Sequence, residues 1–132
     1  MLLHQDLTKD IIQLFYAVYH ELGYGFLEKV YQNALFLELR SRGYKVVPQQ
    51  KCSVYYKGTE VGTFYSDMVV NDLVILELKA IQELHIEHIR QLQNYLKASS
   101  IEVGLLLNFG PEPQVIRKVH ANERKNLPLR KI

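Results

Sequence analysis

The order of elements written into this chain predicts one mixed α/β (α+β) domain: a central sheet flanked by helices, with an extra helix at the N-terminus. Three observations carry that expectation. Apolar residues keep a helical period as far as Gly43; the middle of the chain then switches to β-branched and aromatic residues punctuated by turn pairs. A further helical stretch separates that region from a short, almost wholly apolar run, which suits a buried strand paired in parallel with the rest of the sheet. With 132 residues and 48% hydrophobic content, the chain can bury one core but has no room for two full domains, so residues 1–132 read as a single unit.

The elements follow in order. Leu7, Ile11, Leu14, Phe15, Val18 and Leu22 stand at helical spacing, with Asp6 or Thr8 available as a cap. Gly23-Tyr24-Gly25 breaks this helix, and a second follows on Leu27, Val30, Tyr31, Ala34, Leu35 and Leu37 before a stop at Gly43. The stretch from Cys52 to Ala80 carries the turn signals Lys57-Gly58 and Asn71-Asp72, which predicts a three-stranded antiparallel meander over about 50–57, 60–70 and 73–79. Ile86, Ile89, Leu92 and Leu96 restore the helical period, and "EVGLLLNFG" is the apolar strand. A brief strand at Val115 to Val119 precedes a polar, basic tail over about 120–132, read either as a solvated end or as an arm that contacts phosphate.

Composition excludes little about partners. Sixteen Lys and Arg against fourteen Asp and Glu leave a formal charge of +2, too small to argue by itself for nucleic acid or membrane. The single cysteine, Cys52, rules out an intramolecular disulfide and a cysteine-built zinc site. Its place in an apolar alternation reads as a buried structural thiol, which suits a reducing cytosol. There is no apolar run of membrane-spanning length, about 18 residues, and the N-terminus turns polar too early for a secretory signal. A cytoplasmic protein is expected.

The stretch "VILELKA", Val74 to Ala80, poses the chemical question. In a strand, Leu73, Ile75, Glu77 and Lys79 share one face and Val74, Leu76, Leu78 and Ala80 the other. An unpaired charge so placed would cost several kcal/mol, so something must compensate. One answer is an ion pair between Glu77 and Lys79 or with other side chains. The other is a metal site, where an acid gives Mg²⁺ a hard oxygen ligand and the lysine lies beside the reacting centre.

Two more acids favour the second answer. A strict two-residue turn at Asn71-Asp72 would pair Asp67 with Leu76 and turn it away from Glu77. A three-residue connection or a bulge would set Asp67 opposite Glu77, and that is the arrangement expected here. Glu28, near the start of the second helix, either reaches toward the same sheet end or is a surface charge favoured by the helix dipole.

At this point the residues resemble a known family. "GFLEKVY", Gly25 to Tyr31, is similar to the Gly-x-x-Glu-x-x-Tyr signature of the GxxExxY proteins, a branch of the PD-(D/E)XK nuclease-like superfamily. Asp67 followed by Glu77-x-Lys79 resembles the superfamily's D…(D/E)XK core; Gln91 to Tyr95 resembles the Gln-x-x-x-Tyr motif of RecB-type nucleases. The element order from Gly25 to about 109 is similar to the restriction-endonuclease-like αβββαβ core. Ser66 stands where the superfamily often has proline.

The resemblance implies a metal-dependent nuclease that hydrolyses phosphodiester bonds, of DNA in preference to RNA. Asp67, Glu77 and the backbone carbonyl of Leu78 would hold Mg²⁺ or Mn²⁺, with Glu28 in the outer sphere through a water or on a second ion. Lys79 would orient the attacking water or offset phosphoryl charge; Gln91 and Tyr95, four apart on one helical face, would border the site and bind the lysine, a phosphate or a base. Tyr31 would either hydrogen-bond Glu28 or pack in the core. A homodimer would suit the cutting of two strands.

Other readings stand beside this one. A non-catalytic module that binds nucleic acid or protein on the same fold, or a purely structural domain whose buried charges pair, would use the same residues without turnover. His85 and His88, three apart, read as surface or capping residues rather than a zinc site. Tyr55, Tyr56 and Tyr65 read as strand residues with hydroxyls at the surface rather than base-stacking platforms.

Overall fold

A computed structural model of the chain describes residues 2–125. The basic tail expected over about 120–132 lies outside the described residues from 126 onward. Helix α1 spans Gln5–Leu22 and α2 Glu28–Ser41; β1 spans Val46–Tyr56, β2 Thr59–Val70 and β3 Val74–Lys79. Helix α3, Ile86–Ala98, leads into β4, Val103–Phe109, then β5, Pro113–Val119, and a 3₁₀ turn at Asn122–Arg124. The five strands form one sheet in sequence order. All neighbours are antiparallel except β3 and β4, which run parallel because α3 carries the chain back across the sheet. This is the mixed α+β architecture that the sequence predicts, with α1 as the added helix.

The sheet is covered on both sides. On one, Ile11, Leu14 and Phe15 of α1 and Tyr31, Leu35 and Leu39 of α2 pack on Val74, Leu76, Leu78, Val103, Leu105 and Leu107. On the other, Leu92, Tyr95 and Leu96 of α3 pack on Val69, Ile75 and Leu106. Strands β3 and β4 therefore read as nearly unbroken apolar runs because both faces are buried. Helix α3 can lie close because Gly104 has no side chain: a Cβ there would come within 2.6 Å of a Leu92 methyl.

Several local expectations change. Neither Asp6 nor Thr8 caps α1; both lie inside it, His4 takes the cap position, and the Thr8 hydroxyl donates back to Gln5 O. The buried stripe of α2 is Tyr31, Leu35 and Leu39, while Leu27 is 80% exposed and Val30 and Leu37 also face outward. Strand β1 starts four residues earlier than expected and includes Pro48, which an edge strand tolerates.

Candidate active site

The connection between β2 and β3 decides where the acids meet. Asn71 (φ 53) and Asp72 (φ 57) both take left-handed conformations, the backbone of a tight reversal, and Leu73 completes a three-residue link. The register is Val70↔Val74, Val69↔Ile75, Met68↔Leu76. Continued by one step it sets Asp67 opposite Glu77, but pairing ends at Met68. Beyond that point the strands part, and the two carboxylates occupy the split. Glu77 Oε2 accepts the Asp67 N–H at 2.8 Å, and Asp67 Oδ2 accepts the Leu78 N–H at 2.7 Å. Each acid thus replaces a ladder bond that the diverging backbones no longer make. The N–H and C=O of one strand residue face the same side, so the Leu78 carbonyl also looks into the split.

The parting has a cause on the other side of β2. Val46 and Met68 pack toward α1 and α2, whereas Cys52 and Phe64, an even number of residues away on the same two strands, pack toward α3. Even spacing keeps one face in a regular strand, so both strands must exchange faces in between. Gln49 is where they do. It has φ 52, and the β1–β2 register steps from Pro48↔Met68 to Gln50↔Ser66 without a Gln49–Asp67 pair. The Asp67 amide, released from β1, is free to turn to Glu77. At the other end, fully buried Asn108 pins the strand exit: its amide group donates to Ile81 O at 3.1 Å and accepts the Ile81 N–H at 3.0 Å. Asn108 is the register partner of Lys79, so this clamp fixes where β3 ends.

Glu28 opens α2, half-buried, and accepts a 3.1 Å hydrogen bond from Gln32 Nε2 one turn on. Tyr31 does not bond to it. The Tyr31 ring is fully buried and stacks on Phe109, while its hydroxyl donates to Gly23 O at 2.5 Å and accepts the Phe26 N–H at 3.1 Å. Gly23 (φ 70) and Gly25 (φ 122) give the turn a shape that side-chain-bearing residues rarely adopt. Tyrosine three residues into the helix therefore ties down the loop that delivers Glu28.

Tyr95 and Gln91 adjoin the acids from α3. The Tyr95 hydroxyl donates to Tyr65 O at 2.5 Å, two residues before Asp67, and Gln91, exposed one turn back, hydrogen-bonds that same hydroxyl. Neither reaches Lys79. Half-buried Lys79 is not ion-paired with Glu77 either: the ion pairs among the described residues are Arg42–Asp10 and Lys45–Asp72.

Burial dominates the electrostatics. It raises the carboxyl pKa of Glu77 to about 8, with the Asp67 charge adding to the effect and the Asp67 N–H and Lys79 opposing it. Burial also pushes Asp67 up, against the Leu78 N–H and the charges of Lys79 and Lys29. Glu28 is raised by burial and then by Asp67, and is drawn back by Lys79. The Tyr95 hydroxyl is raised to about 12, first by burial and then by Glu77 and Asp67, so it remains a donor at neutral pH. The three acids lie within one another's fields, and the charges of Lys79 and Lys29 offset their burial only in part.

This donor set suits a hard divalent cation. Among the described residues no three Asp, Glu, His or Cys side chains gather into a complete ligand shell, and Mg²⁺ does not require one: one or two carboxylates with waters are its usual protein ligands. Asp67 and Glu77 are the acids that would supply such carboxylates, with Leu78 a carbonyl, and a cation would reverse the rise in both pKa values. Asp67 also lines a cleft of about 200 Å³ with Lys29, Gln32 and Gln49.

The remaining candidates are structural. His85 and His88 form a cap in which the His85 N–H donates to His88 Nδ1 at 2.9 Å. Cys52 is half-buried, and burial raises its thiol pKa, which keeps it protonated. Tyr56 and Tyr65 are exposed. Sequence reasoning passed over Gln49, Gln32 and Asn108. Only Asn108 left a signal, as a polar residue in the apolar run "LLLNF", the same oddity that singled out Glu77.

A family model described as the PD-(D/E)XK nuclease superfamily covers residues 5–119. No curated protein and no solved structure matches the chain at a significant level.

Proposed function

The chain belongs to the PD-(D/E)XK nuclease superfamily, and from that premise we propose that it is a metal-dependent nuclease acting on phosphodiester bonds, with DNA preferred over RNA. One observation carries the reading. The sheet opens between β2 and β3, and the two carboxylates that fill the opening belong to Asp67 and Glu77, with Lys79 two residues further on.

In this reading Asp67, Glu77 and the Leu78 carbonyl hold Mg²⁺ or Mn²⁺. When bound, the ion supplies Lewis-acid polarisation of the phosphate and a water of lowered pKa. Lys79 sets its ammonium against the negative charge that grows on the phosphoryl oxygens. Glu28, held by Gln32, orients a water at the edge of the pair. Tyr95 keeps its proton and fixes Tyr65, and through it the approach to Asp67, while Gln91 presents its amide to the incoming strand. A cytoplasmic setting and a homodimer for double-strand cutting complete the proposal.

The test is cleavage of single-stranded, duplex and branched DNA with Mg²⁺ or Mn²⁺ by wild type, Lys79→Ala and Asp67→Ala. Each variant should lose at least about a hundredfold in rate, the usual cost of removing one stabilising group from such a site. Cleavage that survives in both purified, folded variants would sink the assignment.

A further inference from the structure

Behind Tyr95, on the α3 side of the sheet, lies a second and larger space of about 710 Å³. Its surface includes Cys52, Val69, Ile75 and one side of Tyr95, with Gln50, Lys51 and Ser66 adding polar groups. The nuclease reading makes no use of this cavity, yet it adjoins the candidate site at two points. Ser66 immediately precedes Asp67, and Tyr95 feels the charges of both Asp67 and Glu77. Ile75 is two residues before Glu77 on β3, a separation of about 7 Å, comparable to the span between a nucleotide's phosphate and its base.

The chemistry of the walls selects what can enter. Apolar and aromatic residues beside an amide, a hydroxyl and an ammonium form a mixed surface that suits a flat heteroaromatic ring with donors and acceptors on its edge. Two acids, Glu60 and Asp72, also line the cavity, which makes it unsuited to a phosphate. We propose that the cavity receives the base of one unpaired nucleotide whose phosphate sits at Asp67 and Glu77, so that the preferred substrate is single-stranded or locally unpaired. This rests on the nuclease reading. A base stacked and paired in a continuous duplex must first be turned out of the helix to enter, at a cost a single strand does not bear.

The experiment separates the two proposals by measuring binding without turnover. Fluorescence anisotropy with Ca²⁺ in place of Mg²⁺, so that the carboxylates carry a cation to receive the phosphate, compares a labelled single-stranded oligonucleotide with a duplex of the same length, for wild type and for Ser53→Trp, which fills the cavity from β1. Wild type should bind the single strand more tightly, and Ser53→Trp should lose about tenfold or more in single-strand affinity, the scale of one lost stacking contact, with duplex affinity unchanged. If Ser53→Trp lacks a normal melting transition, Ser99→Phe fills the same cavity from the helix end and carries the test. Unchanged single-strand affinity in a folded cavity-filling variant overturns the base site, even if Mg²⁺-dependent cleavage is intact. Affinity lost as expected in a protein that never cleaves leaves the base site standing and removes the nuclease reading.

Discussion

Tyr31 shows how one side chain connects the sequence to the site. Its ring occupies the core against Phe109 and its hydroxyl holds Gly23 and Phe26, so packing and loop geometry depend on the same residue. Tyr31→Phe keeps the ring and removes only the hydroxyl, leaving the part-buried Gly23 carbonyl and Phe26 N–H without this partner. The expected cost is about 1–3 kcal/mol in urea denaturation. Metal-dependent cleavage should fall more than stability alone explains, because Glu28 begins the helix that this loop delivers. Full activity in a destabilised Tyr31→Phe would mean that the loop's shape does not matter to Glu28. Asn108 belongs to the same scale: Asn108→Leu would strand the Ile81 N–H and C=O and should cost a similar amount.

Strands and helices were legible in the sequence to the extent that period and turn chemistry determine them. The three helices, the meander and the parallel β3–β4 pairing follow from such patterns; the turn pair Asn71-Asp72 left a two-residue turn or a longer link open, and the expectation that Asp67 faces Glu77 chose the longer one, which the register Val70↔Val74 shows as three residues. What escaped depended on backbone states that composition does not advertise. The expected start of β1 at about residue 50 falls late because the strand runs on through Pro48, which an edge position accepts, and nothing in the residue type of Gln49 signals φ 52. Yet the exchange of faces at Gln49 is what releases Asp67 toward Glu77. Gln49→Gly should therefore retain or slightly raise stability, since glycine adopts this conformation without steric cost. Gln49→Val should lose about 1–2 kcal/mol because a β-branched residue is strained there. Equal stability of the two variants in urea denaturation would remove the left-handed residue from the account of the split.

Taken as a whole, the molecule buries an acid at the centre of a sheet that is otherwise covered by apolar layers on both sides, and that placement should be measurable as a conflict between function and stability. Glu77 is 5% exposed and its pKa is raised from 4.5 to about 8. The sign follows from proton binding. Between those two values the folded state holds a proton that the unfolded state has released, so without a divalent ion stability should fall as pH rises, by at most ~1.4 kcal/mol per pH unit. Glu77→Gln retains an oxygen to accept the Asp67 N–H and cannot ionise. In EDTA at pH 8 it should melt several degrees above wild type, and the difference should shrink toward pH 4.5 while cleavage is lost at every pH. Mn²⁺ should raise the melting temperature of wild type more at pH 8 than at pH 6, because binding must displace the proton, and should leave Glu77→Gln nearly unmoved. A wild type that is as stable as Glu77→Gln at pH 8 without metal would show that the fold compensates this carboxylate by itself, and the case for a cation in the split would lose its physical basis.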